Sequence, residues 1–148
     1  MAFEIIPMTE ADVPQVAELE NACFSDPWPE SVLKGELTNS LSLWLTAKDD
    51  QTVLGYVGSQ SVLDEADMMN LAVRQDARRQ GIAKALVLEL CRRLAAKGVA
   101  SLTLEVRASN APAISLYETL GFAQVGVRPN YYFHPKEDAR ILKKEGLK

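Results

Sequence analysis

Histidine and cysteine are scarce in this chain: His134 stands alone, and Cys23 and Cys91 are the two thiols among 148 residues. That scarcity excludes several chemistries at the outset. A Cys/His nucleophile needs its base at hand, and His134 lies far in sequence from either cysteine, in a stretch rich in proline and lysine. Cys23 follows a helical stretch and Cys91 falls inside one, where a small apolar thiol commonly packs, so neither a disulfide framework nor a metal site is expected. The first eight residues carry Glu4 and a short apolar run, without the basic start and long apolar stretch of a signal peptide. No window approaches a membrane span. A formal net charge of −4 argues against non-specific nucleic-acid binding, while leaving room for a positively charged peptide or amine substrate. The expectation is a soluble cytoplasmic protein with reduced thiols, without nucleic acid or membrane as a direct partner, and monomeric or weakly dimeric.

What the chain does have is enough apolar material, 47% of residues, to build one ordinary core. With no repeat, low-complexity tract or linker, residues 1–148 read as a single domain. Phe3 to Pro7 reads as a strand, and Thr9 with Asp12 as a capping box opening a helix to about Ala22. The prolines at 27 and 29 turn Ser25–Pro29 into a loop that carries Trp28, before a short helix from Glu30 to Leu37. Leu41–Lys48 and Val53–Leu63 should pair as a hairpin, and Met68–Val73 is a further strand. Apolar residues at Ile82, Ala85, Leu86, Leu90 and Leu94 mark a helix that ends before Gly98. Ser101–Arg107 alternates, with Leu102, Leu104 and Val106 on one face and Thr103, Glu105 and Arg107 on the other. Asn110-Ala111-Pro112 opens a helix closed by Leu120-Gly121, and Ala123–Arg128 and Ala139–Lys143 complete the strands. This order implies a mixed α/β (α+β) fold, with helices on the faces of a mixed sheet.

The sharpest local signal is the run from Val73 through Ala83, a strand that ends in a basic, glycine-containing turn and feeds directly into the long helix. Helix-start amides are unpaired and carry the positive end of the dipole, and the small residues Gly81 and Ala83 let a phosphate approach the backbone. Arg74, Arg78, Arg79 and Lys84 add positive charge. On pattern alone, a plain strand-to-helix connection with a basic surface fits equally well. The run is neither a nucleotide P-loop nor a dinucleotide fingerprint, because it lacks both the Gly-Lys-Ser/Thr and the three spaced glycines.

Arg78-Arg79-Gln80-Gly81-Ile82-Ala83 resembles the pyrophosphate-binding motif of the GCN5-related N-acetyltransferase (GNAT) superfamily, with Ala83 where glycine is commoner. The block from Leu104 to Asn110, with Ala113 to Phe122, narrows the resemblance to members that acetylate ribosomal-protein N-termini, and the likeness runs over almost the whole chain. It implies a sheet of about six to seven strands flanked by about four helices, splayed at the centre to hold acetyl-coenzyme A. It further implies that Leu71, Ala72 and Val73 offer backbone groups to the pantetheine arm. The phosphates would then lie against Arg78, Arg79, Gln80, Gly81, Ile82, Ala83 and Lys84.

The remaining roles divide between pattern and resemblance. Glu105 reads locally as an outward-facing acidic residue, and the resemblance implies the base that takes the amine's proton. Tyr117 reads as helix-edge packing beside Ile114 and Leu120, and the resemblance implies the acid that protonates the coenzyme A thiolate. Asn110 is the N-cap of its helix, and in the superfamily the same residue also reaches the cofactor. The oxyanion donor would be a backbone amide near Val73. Trp28, Tyr131 and Tyr132 could line a peptide cleft, and Asp64, Glu65 and Asp67 could draw a basic tail. Direct attack is expected, with no acetyl-enzyme and no metal. The implied acceptor is the N-terminal alanine of a small-subunit ribosomal protein; other N-termini, a lysine, a small amine, or coenzyme A binding without turnover are the alternatives.

Overall fold

The structure, a computed structural model, describes residues 2–147. Seven strands form one sheet in the order β1-β2-β3-β4-β5-β7-β6. The strands are β1 (Glu4–Pro7), β2 (Ser42–Asp49), β3 (Thr52–Val62), β4 (Glu65–Val73), β5 (Ser101–Arg107), β6 (Ala123–Phe133) and β7 (Lys136–Lys144). Every neighbouring pair is antiparallel except β4 and β5. Four α-helices flank the sheet: α1 (Val13–Cys23), α2 (Glu30–Leu37), α3 (Ile82–Ala96) and α4 (Ala111–Thr119).

Alternation along the strands assigns the two faces. On β2 and β3, Leu45, Ala47, Leu54 and Val57 pack with Ile82, Leu86, Leu90 and Leu94 of α3, in the core cluster that also takes Ile114 and Tyr117 of α4. Trp44, Val53 and Tyr56 point the other way, into a second cluster with Val13, Val16 and Leu19 of α1 and Leu33 of α2. β5 keeps the period of two, burying Leu102, Leu104 and Val106 in the α3/α4 cluster and leaving Thr103, Glu105 and Arg107 on the α1/α2 face. α1 packs on β3 and β4 and α2 on β2, so neither covers β5. The Glu105 side of the sheet is therefore a cleft between helices and strands, where the pattern had suggested a helix-covered face.

Local chemistry explains the helix starts. Thr9 N–H donates to Asp12 Oδ2 at 2.9 Å, the expected capping box, although the first turn is 3₁₀ before α1 takes over at Val13. Asn110 Oδ1 accepts from Ala113 N–H at 3.2 Å and caps α4. One glycine is fixed by a close approach: a Cβ on Gly58 would sit 2.4 Å from the Trp44 ring, which lies directly across the strand pair. Trp44 in turn packs at 5.3 Å on Trp28 and stacks at 6.1 Å on Tyr56, so the proline-rich loop is held by an aromatic pile.

Candidate active site

The parallel pairing of β4 with β5 is short. It joins Glu65 to Ser101, Ala66 to Leu102 and Asp67 to Thr103, and goes no further, although both strands continue. The cause lies on the other side of β4. Its register with β3 steps from Met68↔Ser59 to Asn70↔Gly58, leaving Met69 as an extra, bulged residue. A bulge bends its strand and increases its twist, so β4 turns away from β5 one or two residues after their last pair. The gap opens into a cavity of about 1190 Å³ bordered by the diverging halves of both strands, the α3 start, α4, the Trp28 loop and the β6–β7 hairpin.

At one end, the loop before α3 is shaped for an anion. Arg79 has φ +66° and Gly81 φ +79°, and left-handed residues alternating with ordinary ones produce the concave amide arrangements that bind phosphate. The first backbone bond of α3 runs from Ala85 N–H to the Gly81 carbonyl, so the amides of Ile82, Ala83 and Lys84 have no helical acceptor. A Cβ on Gly81 would meet nothing within 4 Å, so the space beside it is open. The Arg78 guanidinium lies across the end of β4, 3.3 Å from the Val73 carbonyl oxygen.

At the splay itself, two side chains arrive from opposite faces. Glu105 comes from the α1/α2 face with its side chain 27% exposed, its Oε1 3.2 Å from Arg128 Nε. The neighbouring Glu105 carboxyl, with burial behind it, pushes the Tyr131 phenol up to about 12. Asp67 lies on the same side: burial, then the nearby charges of Glu105 and Glu65, push its carboxyl above the usual range. Tyr117 comes from the α3/α4 face, 6% exposed, edge-on to Phe122 at 5.5 Å, with its hydroxyl 3.8 Å from Met68 Sδ. Burial pushes this phenol well above its usual value. The site thus places a partly exposed acidic side chain across the gap from a buried phenol whose titration is shifted upward.

Leu71, Ala72, Val73, Arg78, Arg79, Gly81, Ile82, Ala83, Lys84 and Asn110 all border the cavity, as do Trp28, Tyr131 and Tyr132. Gln80, Asp64 and Glu65 do not. Asp64 sits in the turn before β4, where its carbonyl accepts from Ala100 N–H at 2.7 Å, and Glu65 pairs with Ser101 at the closed end of the splay, its carboxylate 3.7 Å from Lys143 Nζ. Asp67 is the acidic residue of that segment that faces the opening. Arg74 is also turned aside, its guanidinium 2.8 Å from Asp76. Several bordering residues escaped the sequence reading, among them Met68, Met69, Asn70, Arg128 and His134. Only Arg128 carried a signal, a cation at the end of an alternating strand near the Tyr131-Tyr132 pair. Among the described residues no group of three or more His, Cys, Asp or Glu side chains is arranged to hold a metal. No described helix is long and apolar enough to cross a membrane.

A strand pair splayed beside a glycine turn at a helix start is the arrangement that the GNAT resemblance implied, and the Acetyltransferase (GNAT) family model matches residues 13–122. The chain belongs to that family and is an N-acetyltransferase. It is 40% identical to the [ribosomal protein bS18]-alanine N-acetyltransferase of Salmonella typhimurium, over 91% of this chain and 92% of that one. The Escherichia coli protein of the same name is likewise 40% identical, over 93% of this chain and 94% of its own. The crystal structure of the ribosomal-protein-S18-alanine N-acetyltransferase from Escherichia coli superposes with a TM-score of 0.89 at 36% identity, covering 97% of this chain and 94% of that one. Arabidopsis thaliana NAA60, solved in complex with acetyl-CoA, shares the fold at a TM-score of 0.90 and 19% identity, over 97% of this chain and 98% of that one.

Proposed function

We propose that this chain transfers the acetyl group of acetyl-coenzyme A to the α-amine of the N-terminal alanine of a small-subunit ribosomal protein in the cytoplasm. The observation that carries the reading is the placement of Glu105 and Tyr117 on opposite faces of the gap between β4 and β5. The coenzyme lies with its pyrophosphate on the Arg78–Lys84 turn and its pantetheine arm along Leu71–Val73, which directs the thioester into the gap. An α-amine has a pKa of about 8, so at neutral pH it arrives mostly as ammonium. Glu105, directly or through a water, takes the proton, and the nitrogen lone pair attacks the thioester carbonyl. Negative charge on the carbonyl oxygen is met by a backbone amide of β4 on the side that β5 has left. The C–S bond then breaks, the Tyr117 hydroxyl supplies the proton to the departing sulfur, and the second proton that the nitrogen sheds in becoming an amide passes through solvent to restore the phenol. The names of the relatives at 40% identity support the alanine acceptor. Tyr131, Tyr132, Trp28 and Asp67, which ring the Glu105 side, receive the peptide.

The test of donor and acceptor together is thiol release from acetyl-coenzyme A with a peptide that begins with free alanine. Release should depend on that free amine and vanish when it is blocked, with internal lysines poor substrates. Equal release from the blocked peptide moves the reading to lysine.

Binding of the coenzyme has its own probe at Gly81. On space alone a side chain there would be free to fit, but φ +79° adds a strain of about 1–2 kcal/mol for any residue with a Cβ. A bulky valine therefore strains the fold as well as the site, and Gly81→Ala separates the two better. It should weaken acetyl-coenzyme A by on the order of 10-fold, about 1.4 kcal/mol, while melting close to the parent apart from that strain. Calorimetric affinity equal to the parent's contradicts the phosphate assignment.

A further inference from the structure

Glu20, near the end of α1, is fully buried, with a relative exposure of 0%. Its carboxylate accepts from three neutral donors on three different segments. The Trp28 backbone N–H reaches Oε1 at 2.8 Å, the Tyr56 hydroxyl on β3 donates to Oε2, and Asn70 Nδ2 on β4 lies 3.0 and 2.9 Å from the two oxygens. No cation is among these partners. Burying a carboxylate on neutral donors is costly, and well-packed apolar side chains would serve stability at least as well. What the carboxylate provides instead is geometry. It is acceptor-only, so all three donors must converge on it, and each belongs to a part of the site. Trp28 sits in the proline-rich loop, and Asn70 directly follows the bulged Met69 where β4 leaves β5. Both border the cavity on the side that Glu105 faces. Burial, and then the Glu20 charge, push the Tyr56 phenol far up, so this donor keeps its proton.

We propose that Glu20 is a positioning residue for the acceptor: through Trp28 and Asn70 it locks the loop wall and the splayed strand in one relative placement, so the peptide amine meets Glu105 without rearrangement. This rests on the acceptor reading above. The network stays clear of the α3 start that takes the pyrophosphate, so coenzyme affinity should change less than the acceptor KM.

The experiment compares Glu20→Gln, which turns a donor toward converging donors, with Asn70→Ala, which removes one donor at a half-buried position and leaves α1 intact. Steady-state kinetics with an alanine-initiated peptide are measured well below the melting temperature, beside calorimetry with acetyl-coenzyme A. Acrylamide quenching of tryptophan is the third readout: Trp28 and Trp44 are the two tryptophans, and Trp44 is only 4% exposed, so quenching follows Trp28. The acceptor KM should rise roughly 10-fold or more in both variants, with smaller changes in kcat and in coenzyme affinity and faster Trp28 quenching. Variants that melt earlier yet keep parental acceptor KM and parental quenching overturn the proposal. If the parent itself fails to turn over alanine peptides, the acceptor reading falls, and Trp28 quenching alone then decides whether Glu20 sets the wall.

Discussion

Glu105→Gln should lower turnover at neutral pH by on the order of 10²-fold or more while leaving acetyl-coenzyme A affinity near the parental value. The amide keeps the size and polarity of the side chain, and its contact with the Arg128 guanidinium through one oxygen can persist, so the fold is not at issue. What disappears is the capacity to accept a proton. With an amine pKa of about 8, roughly one acceptor in ten is neutral at pH 7. The variant depends on that fraction, so its rate should climb as the pH rises through 8 and close part of the gap to the parent. Asp67 is the other carboxyl that β4 brings to the opening, and burial, then the Glu105 charge, raise its pKa. Removing the Glu105 charge relieves part of that rise, and residual activity in Glu105→Gln that is lost on adding Asp67→Asn would show Asp67 acting as the substitute. Parental turnover in Glu105→Gln would make the carboxylate structural.

Tyr117→Phe should produce a defect of similar order with the opposite pH behaviour. The phenol's polar contact is a thioether sulfur at 3.8 Å, a weak partner, and its edge contact with Phe122 survives the substitution. Stability should therefore change by less than about 1 kcal/mol. Raising the pH cannot help this variant, because the departing thiolate still lacks its proton source. The direction of the parent's own phenol shift adds a second expectation. Burial holds the proton well beyond the usual tyrosine range, so the parental pH–rate profile should rise and level off up to pH 10, with no falling limb from phenolate formation. A Tyr117→Phe profile that converges on the parent at high pH would remove the acid role and return Tyr117 to packing.

The contrast between what the sequence disclosed and what it concealed follows the range of the interactions involved. α3 was legible because Ile82, Leu86, Leu90 and Leu94 repeat at helical spacing, and β5 because period-two alternation separates Glu105 from Leu104 and Val106. β4 begins three residues earlier than its apolar pattern suggested, because Glu65, Ala66 and Asp67 are held by pairing to both β3 and β5 despite two charges. β6 and β7 run on to Phe133 and from Lys136, past the expected ends at Arg128 and from Ala139. Their tip is tied down by Arg107, which donates to the His134 and Pro135 carbonyls and stacks over Tyr132 at 4.2 Å. The splay, which the resemblance implied, left no mark in the residue pattern for a related reason. It is a place where pairing stops, caused by a bulge at Met69 that no turn residue marks. Glu20 was hidden too, since a glutamate between Leu19 and Asn21 on a helix reads as solvent-facing, and only β3 and β4 supply the donors that bury it.

N-terminal acetyl transfer through Glu105 is tested most directly by locating the new acetyl group. A peptide that begins with alanine and carries an internal lysine, incubated with the chain and acetyl-coenzyme A, is fragmented by tandem mass spectrometry. The expected product carries a single acetyl on the alanine α-nitrogen, formed at a rate that collapses in Glu105→Gln, with the lysine unmodified. Acetylation of the lysine in preference to the free N-terminus, or an N-terminal rate unaffected by the loss of Glu105, would contradict it.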